Sequence, residues 1–444
     1  MKKLFLLLPC LFCYWHVYAA DTVKLTLETV EKQALEYSPK IKQVQSAAQA
    51  QGYISESFDA YLYPVLTLDA KGGWVSQIPE LTMGMTKLKF GDNWSYSAGP
   101  TLQYTVFDNN RRKDKVKSET AVYNSKIRDF EAVKKQVLLD ARRSYFKIQR
   151  DLEKIYFLFE YMKLTQKQLK DINSAFKTGV KNKRDVIMAE KQFIKAKISI
   201  SAARAVLSQD LSELFKITGT NFSINNDYPS DYRIETAELD GTASALIQCD
   251  SPDDTLVKFT PVENLNFDSE QAKLVSYDEL VKSYEYLSAY YKSELYPKIN
   301  LAAGTYFEYP NGPITESVFQ TRANAAISMP LFEKSKNKKL SQAQKSAAES
   351  VSAQKQDMSE TLKSLFEFSK RRLYSLNIEN NLTEKMIEDS KTAVKLTYDA
   401  YNAGSVTFLE VQNANIDLLS AQTELSNLKI EKLNCLAVMD NLGK

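Results

Sequence analysis

The side chains that most often carry enzyme chemistry are scarce in this sequence of 444 residues. The only histidine, His16, lies in an amino-terminal segment with the features of a cleaved signal, so the mature chain is expected to contain none. This excludes a histidine general base, a Ser-His-Asp triad and a histidine-ligated metal. The carboxylates and lysines are scattered along predicted helix surfaces, where a solvated face is the simpler interpretation. The sequence therefore predicts no enzyme, no cofactor and no metal site.

Two thiols remain once the signal is removed, Cys249 in the middle of the chain and Cys435 in its last predicted helix. Outside the cytoplasm, paired thiols are oxidised. A disulfide between these two cysteines is a possible arrangement, and two separate buried thiols are the alternative.

Basic side chains gather at one of two glycines that end long helical patterns. Around Gly179 the sequence places Lys177, Lys181, Lys183 and Arg184. A cation near a helix C-terminus is favourable by about 0.3–1 kcal/mol, which explains part of this cluster. Stabilisation of the helix dipole does not account for all four charges at one turn. We therefore expect the turn to dock an acidic surface of a partner protein.

One carboxylate follows each of the two glycines at the same distance. Asp185 comes six residues after Gly179, and Glu410 comes six residues after Gly404. In the first turn of a returning helix, a carboxylate offsets the helix dipole.

The segment that positions these residues occurs twice. Residues 107–179 and 332–404 each span 73 positions, lie 225 residues apart and end in similar glycine turns. Proline is absent from residues 101–227, where Gly179 and Gly219 are the only glycines, and it is absent again from residue 331 onward. Because both residue types disfavour helix interiors, each copy is predicted to be the first arm of a long helical hairpin capped at its glycine.

Apolar residues follow the arms with the seven-residue spacing of a coiled coil. The first arm of the first copy carries Val137, Ala141, Ile148, Leu152, Ile155, Phe159, Met162, Leu169 and Phe176, and its return arm carries Val186, Ala189, Phe193, Ala196, Ile200, Ala203 and Leu207. With a first arm over residues 108–178, roughly 105 Å long at about 1.5 Å per residue, such a rod needs lateral neighbours.

The start of the chain has the pattern of a secretory signal peptide, predicted over residues 1–19. A basic start and an apolar run over residues 4–17 precede a cleavage position after Ala19, and cleavage after Ala20 remains open. Cys10 and Cys13 do not follow a small residue, which disfavours a lipidated cysteine.

Helical patterns over residues 23–61 and 267–295 each end at a Tyr-Pro pair, after which the apolar period changes to two. Strands are predicted at about residues 64–76, 94–106, 298–309 and 318–329. A soluble, half-buried sheet is one interpretation. The lengths of ~10–13 residues and the aromatic residues at the strand ends favour membrane strands. Four strands cannot close a barrel alone, so several chains must share one.

Composition narrows the class of protein. After the signal there is no run of 18 apolar residues, so the sequence predicts no transmembrane helix. A formal charge of +3 gives no argument for nucleic-acid binding.

Together, the signal peptide, the duplicated helix–strand hairpin–helix layout, the two Tyr-Pro pairs and the two glycine turns resemble the TolC family of outer-membrane efflux proteins. The resemblance implies a mainly α-helical homotrimer in which the helical hairpins form an α-barrel, and four strands per chain contribute to one 12-stranded β-barrel in outer-membrane lipid. It also implies a long periplasmic extension, a periplasmic adaptor and an inner-membrane transporter as partners, and adaptor contacts at the turns after Gly179 and Gly404.

The predicted organisation is a first repeat over residues 20–219, a linker over residues 220–266 at the waist and a second repeat over residues 267–444. The linker is acidic, and a disordered segment is the alternative to an ordered belt. By the resemblance, the second turn lines the periplasmic mouth, where acidic residues often stand six and nine positions after the glycine. Here these positions hold Glu410 and Asn413, so one ring of like charge is expected as the gate.

The resulting hypothesis is an exit duct that exports small toxic compounds across the outer membrane with an adaptor and an inner-membrane transporter. A type I secretion duct for proteins uses the same shell and remains open. A periplasmic coiled-coil adaptor or scaffold is the alternative from another class, and the four predicted membrane strands argue against it.

Overall fold

The computed structural model describes residues 23–84, 86–220 and 247–444. The predicted signal peptide and most of the acidic part of the predicted linker lie outside the described residues. The chain divides into two compact units. The helical unit comprises Met1–Ser38, Gln136–Asn266 and Phe366–Lys444, and the strand unit comprises Pro39–Lys135 and Phe267–Leu365.

Long helices dominate the described chain, as the rarity of glycine and proline predicts. In chain order the helices are α1 (Leu27–Tyr37), α2 (Pro39–Asp59), α3 (Arg111–Lys177), α4 (Lys183–Thr218), α5 (Pro252–Phe259), α6 (Ala272–Ser293), α7 (Lys336–Asn402) and α8 (Phe408–Leu442). Helices α3 and α7 have 67 residues each, and they are the first arms of the two predicted hairpins. No helical segment in the described residues combines the length and the hydropathy that a bilayer-spanning helix requires.

The core of the helical unit follows the predicted coiled-coil seams. Buried seam residues include Ala141, Ile148 and Met162 on α3 and Ala189, Ala196 and Ile200 on α4. Small alanine side chains at these positions allow close approach of the helix backbones.

Short segments near both ends of the described chain form hydrogen bonds with other parts of the helical unit. Strand β1 (Val23–Leu25) pairs in parallel with β6 (Ile247–Cys249) in the linker. The backbones of Asn266 and Lys444 exchange two hydrogen bonds, of 3.3 and 2.8 Å. Arg142 on α3 donates to Glu31 on α1 and to Asp440 on α8. These contacts tie the described parts of the linker and both ends of the described chain to α3 and α8.

The strand unit contains a four-stranded antiparallel sheet, whose strands are β2 (Val65–Trp74), β5 (Trp94–Phe107), β7 (Lys298–Tyr309) and β8 (Val318–Ser328). Their order in the sheet is β2-β5-β7-β8. The β2–β5 and β7–β8 hairpins, one from each repeat, join through β5 and β7. Strands β2 and β8 are therefore the two edges.

The two faces of this sheet differ in polarity. One face carries apolar side chains that are largely exposed in the single chain, such as Leu68 at 80% and Phe319 at 79%. On the other face, Asp69 accepts a hydrogen bond from Thr101 at 2.8 Å, and Arg322 donates to Glu308 at 2.7 Å. The predicted fold class, duplicated long helical hairpins with four two-faced strands per chain, is confirmed.

Three details differ from the sequence prediction. The first residues of the predicted helix over 23–61 form strand β1, because they pair with a segment more than 200 residues away. The predicted loop between the first two strands contains a small hairpin, β3 (Glu80–Met83) with β4 (Thr86–Lys89). The linker contains α5, which Ser251 caps by accepting a hydrogen bond from the Asp254 backbone N–H.

Candidate functional site

The candidate site consists of two turns in the helical unit, the first tip (residues 176–185) between α3 and α4 and the second tip (residues 401–410) between α7 and α8. Gly179 has φ 78° and Gly404 has φ 82°, in the left-handed region that favours glycine. Val180 N–H donates to the Ala175 carbonyl at 2.9 Å, and Ser405 N–H donates to the Ala400 carbonyl at the same distance. These bonds across six residues define the same helix-ending motif in both tips.

Apolar packing joins the two tips. A cluster of buried side chains unites the two hairpins: Ile172, Val186, Ala189, Tyr401, Phe408 and Val411. Phe408 and Val411 occupy one face of α8, so this face is turned toward the first hairpin. The opposite face of α8 is left for other contacts.

Lys181, one of the four cations at the first tip, is already bound within the chain. Its ammonium lies 3.8 Å from the centre of the Tyr401 ring and donates to the Tyr401 carbonyl at 2.6 Å. The Tyr401 hydroxyl in turn donates to Asp185 at 3.0 Å. Lys181 and Asp185 therefore connect the first tip to the second, which corrects the expectation that Lys181 is presented to a partner protein.

Two tyrosines at this contact, the buried Tyr401 and the half-buried Tyr398, have raised pKa values. Burial, together with the hydrogen bond to Asp185, raises the pKa of Tyr401 well above its usual range. Burial and the nearby Asp171 carboxylate likewise raise the pKa of Tyr398, whose hydroxyl donates to Asp171 at 3.1 Å. Both hydroxyls therefore stay protonated donors throughout the physiological range.

The remaining basic side chains of the first tip point to solvent. Lys177, Lys183 and Arg184 are all exposed. The ammonium of Lys183 lies 5.6 Å from the centre of the Phe176 ring, within its own tip. Asn182 caps α4, because its side chain accepts from the Asp185 backbone N–H at 3.0 Å. The Asp185 carboxylate is not needed as a cap, and it accepts from the Tyr401 hydroxyl instead.

Glu410 has a defined local role in the second tip. Its carboxylate accepts from the backbone N–H of Thr407 at 3.2 Å and from the Thr407 hydroxyl at 3.0 Å. This is the glutamate half of a capping box, as expected for a carboxylate in the first turn of a helix. Glu410 nevertheless stays exposed, so the capping contact leaves its charge available at the surface.

An open groove of about 450 Å³ runs along the second hairpin beside Glu410. Its lining includes both predicted gate residues, Glu410 and Asn413, together with Asp417 and the α7 side chains Ser390 and Thr397. Asp417 was not predicted. The signal for it is the helical spacing: residues 410, 413 and 417 are three and four apart, which places them on one face.

Cys249 and Cys435 are both free thiols, so the disulfide considered from the sequence is not formed. The reason is their different surroundings. Cys249 stands in β6 opposite Leu25, whereas Cys435 packs with Leu376 and Leu428. The alternative of two separate thiols is the observed arrangement, with Cys435 buried and Cys249 half-buried.

Known structures share this arrangement of helices and strands. The outer membrane protein VceC of Vibrio cholerae matches with a TM-score of 0.74 and 16% identity, over 94% of this chain and 95% of VceC. CusC matches with a TM-score of 0.75 and 15% identity, over 94% and 92% of the two chains. The CmeC outer membrane channel of Campylobacter jejuni matches with a TM-score of 0.73 and 13% identity, over 94% and 85%. At these identities the likeness establishes the fold.

Membership of a family follows from the sequence itself. The model of the family described as outer membrane efflux protein matches residues 30–220 and 281–437. The chain belongs to this family of outer-membrane efflux channels, which confirms the resemblance, the predicted outer-membrane location and the prediction that the protein is not an enzyme. No curated protein sequence matches the chain significantly.

Proposed function

We propose that three copies of this chain form a duct that exports small toxic compounds across the outer membrane, working with a periplasmic adaptor and an inner-membrane transporter. The observation that carries the proposal is the four-stranded sheet with edge strands β2 and β8. Sheet edges are not tolerated in lipid, so the two edges must pair with neighbouring copies. Three copies give a closed barrel of twelve strands, with the exposed apolar face toward lipid and the Asp69 and Arg322 face toward the lumen.

The second tip is the proposed gate of this duct. Glu410 and Asp417 lie seven residues apart on one face of α8, so three copies would present two acidic rings roughly 10 Å apart along the axis. Asn413 lies between them and adds a polar, uncharged ring. Like charges held close together attract cations and repel one another. Asp417 therefore compensates for the carboxylate that position 413 lacks, and the duct is expected to prefer cations.

The first tip is the proposed docking point for the adaptor. Lys183 and Arg184 are exposed there, while Lys181 is held by Tyr401. Charge reversal at Lys183 and Arg184 should reduce capture of the adaptor without changing trimer yield. Lys113→Glu, at an exposed lysine of α3 in the strand unit, is the control. Unchanged capture by the double variant would remove this assignment.

A deletion strain tests the proposed function directly. Loss of the protein should increase susceptibility to small toxic compounds, and the wild-type chain should restore resistance. The second candidate, a type I secretion duct for proteins, predicts instead a missing secreted protein with unchanged susceptibility. A mature protein found in the soluble periplasmic fraction would favour the adaptor or scaffold alternative and contradict the duct.

A further inference from the structure

A cavity of about 350 Å³ lies in the helical unit between α3, α4 and α8, away from both tips. Helix α3 contributes Asp151 and Lys154, α4 contributes Ala203 and Val206, and α8 contributes Thr423 and Ser426. A volume of this size is at the lower end of small-molecule sites in proteins. The cavity has no part in the duct proposal.

Asp151 is the buried charged group of this cavity, with only 3% of its surface exposed. One of its carboxylate oxygens, Oδ1, accepts from Arg150 Nε at 3.0 Å and from Arg150 Nη2 at 2.8 Å. Its other oxygen, Oδ2, has no hydrogen-bond partner among the described residues. Burying a carboxylate oxygen without a hydrogen-bond donor costs free energy. A ligand that donates a hydrogen bond to Oδ2 would remove this cost.

Two buried carboxylates share one guanidinium beside this oxygen. Arg150 Nη2 also reaches Oδ2 of Asp210 on α4 at 3.3 Å, and Asp210 is 6% exposed. One guanidinium therefore serves two buried carboxylates. Burial and the neighbouring Asp210 carboxyl, opposed by Arg150, together raise the pKa of Asp151 to about 6. The surroundings thus favour either a proton or a bound cation.

The hydroxyl groups of α8 add acceptors to the same cavity. The Thr423 hydroxyl donates its proton within α8, to the Leu419 carbonyl at 2.9 Å or the Ser420 carbonyl at 3.0 Å. The Ser426 hydroxyl donates its proton to Glu153 on α3. Because both protons are used elsewhere, the two hydroxyl oxygens present lone pairs to a ligand.

We propose that this cavity binds a small primary-amine cation, with the ammonium donating to Asp151 Oδ2 and to the hydroxyl oxygens of Thr423 and Ser426. An ammonium has three donors and no acceptor, which matches these three acceptors. Ala203 and Val206 supply an apolar wall for the alkyl part of the ligand. A bare metal ion fits less well, because the described residues contain no group of three or more His, Cys, Asp or Glu able to hold one.

The chain itself holds two competitors for this position. Lys154 lies three residues after Asp151 on α3, is exposed and also lines the cavity. A proton shared between Asp151 and Asp210 is the second competitor. Arg150, the basic group in contact with Asp151, is already shared between Asp151 Oδ1 and Asp210.

Calorimetric titration of the full-length protein in detergent with n-butylammonium, in an amine-free buffer at pH 7.5, tests the proposal. We expect saturable binding that weakens about tenfold or more in Asp151→Asn, because the charge-assisted hydrogen bond is lost. Lys154→Met should tighten binding by removing the competing ammonium. Asp140→Asn, on the same helix but outside the cavity lining, should bind as the wild type does.

The pH dependence and a second probe complete the test. Affinity of the wild type should fall between pH 7.5 and pH 5 as Asp151 takes up a proton, and Asp151→Asn should lack this dependence. Tetramethylammonium carries the same charge but cannot donate, so it should bind more weakly. Equal binding of tetramethylammonium, equal binding by Asp151→Asn or the absence of saturable heat would each overturn the proposal. Equal unfolding midpoints of wild type and Asp151→Asn at pH 4 establish that the variant is folded.

Discussion

At the scale of single residues, protonation of Asp151 is expected to affect the stability of the helical unit. Its folded-state pKa of about 6 lies above the value near 3.9 of an unfolded aspartate. The folded protein therefore binds this proton more tightly, so the charged carboxylate lowers stability above pH 6 and has no such effect below pH 4.

We expect Asp151→Asn to be more stable than the wild type at pH 8, by an amount on the order of 2 kcal/mol, with the difference disappearing at pH 4. The asparagine amide can accept from Arg150 and donate to Asp210, as a protonated aspartate does. Chemical denaturation at both pH values measures the effect. Asp140→Asn is the control, because the Asp140 carboxylate accepts from Gln136 at 2.8 Å outside the cavity lining. A variant that is less stable than the wild type at pH 8 contradicts the account.

The thiols give a second prediction at this scale. Burial raises the pKa of Cys249 to about 12 and that of Cys435 to about 11. Both thiols are therefore neutral at pH 8 and should react slowly with a maleimide in the folded protein. In denaturant without reductant, both should label fully. Labelling that requires a reductant would show a disulfide that the structure does not contain.

Residue roles could be predicted only where they depend on the local sequence. Glu410 was predicted as a carboxylate in the first turn of a helix, and it caps that helix. Lys181 was expected to be free, because nothing near it in the sequence indicates Tyr401, which lies 220 residues away. Asp151 looks like any helix-surface acid until α4 and α8 are packed beside it.

At the scale of elements, Lys181 adds two polar interactions to the contact between the two hairpins. Lys181→Met should remove the hydrogen bond to the Tyr401 carbonyl and the cation–π contact, each worth about 1 kcal/mol. We expect amide hydrogen exchange at residues 401–405 to become about tenfold faster.

The matched control for this contact is Lys183→Met. The Lys183 ammonium lies near Phe176 of its own tip, so its loss should leave exchange at the second tip unchanged. Equal acceleration in both variants would mean that general charge, and not the contact with Tyr401, holds the tips together.

Long elements were predictable and short ones were not. Long stretches without proline and almost without glycine predict α3, α4, α7 and α8, because the preference for helix accumulates over many residues. Strand β1 has three residues and exists through its partner β6, so no local pattern could indicate it. The same holds for the β3–β4 hairpin, whose strands have four residues each.

At the scale of the whole molecule, the proposed duct requires three copies. A single chain leaves β2 and β8 as sheet edges and leaves the Glu410, Asn413 and Asp417 face of α8 exposed. The sequence indicated shared strands through the alternation of apolar residues, whereas the number of copies came from the family resemblance. The second acidic ring, at Asp417, could be predicted only from the structure, which shows which face of α8 packs against the first hairpin and which face stays exposed.

Ion selectivity of the purified trimer in a planar bilayer tests this account most directly. We expect stepwise conductance with a preference for cations, and we expect Glu410→Gln with Asp417→Asn to reduce that preference and the block by multivalent cations several-fold. Glu190→Gln, an exposed carboxylate on α4 of the first hairpin, should conduct as the wild type does. A protein that inserts without conducting, or a double variant with unchanged cation selectivity, would contradict the proposed acidic gate of a trimeric duct.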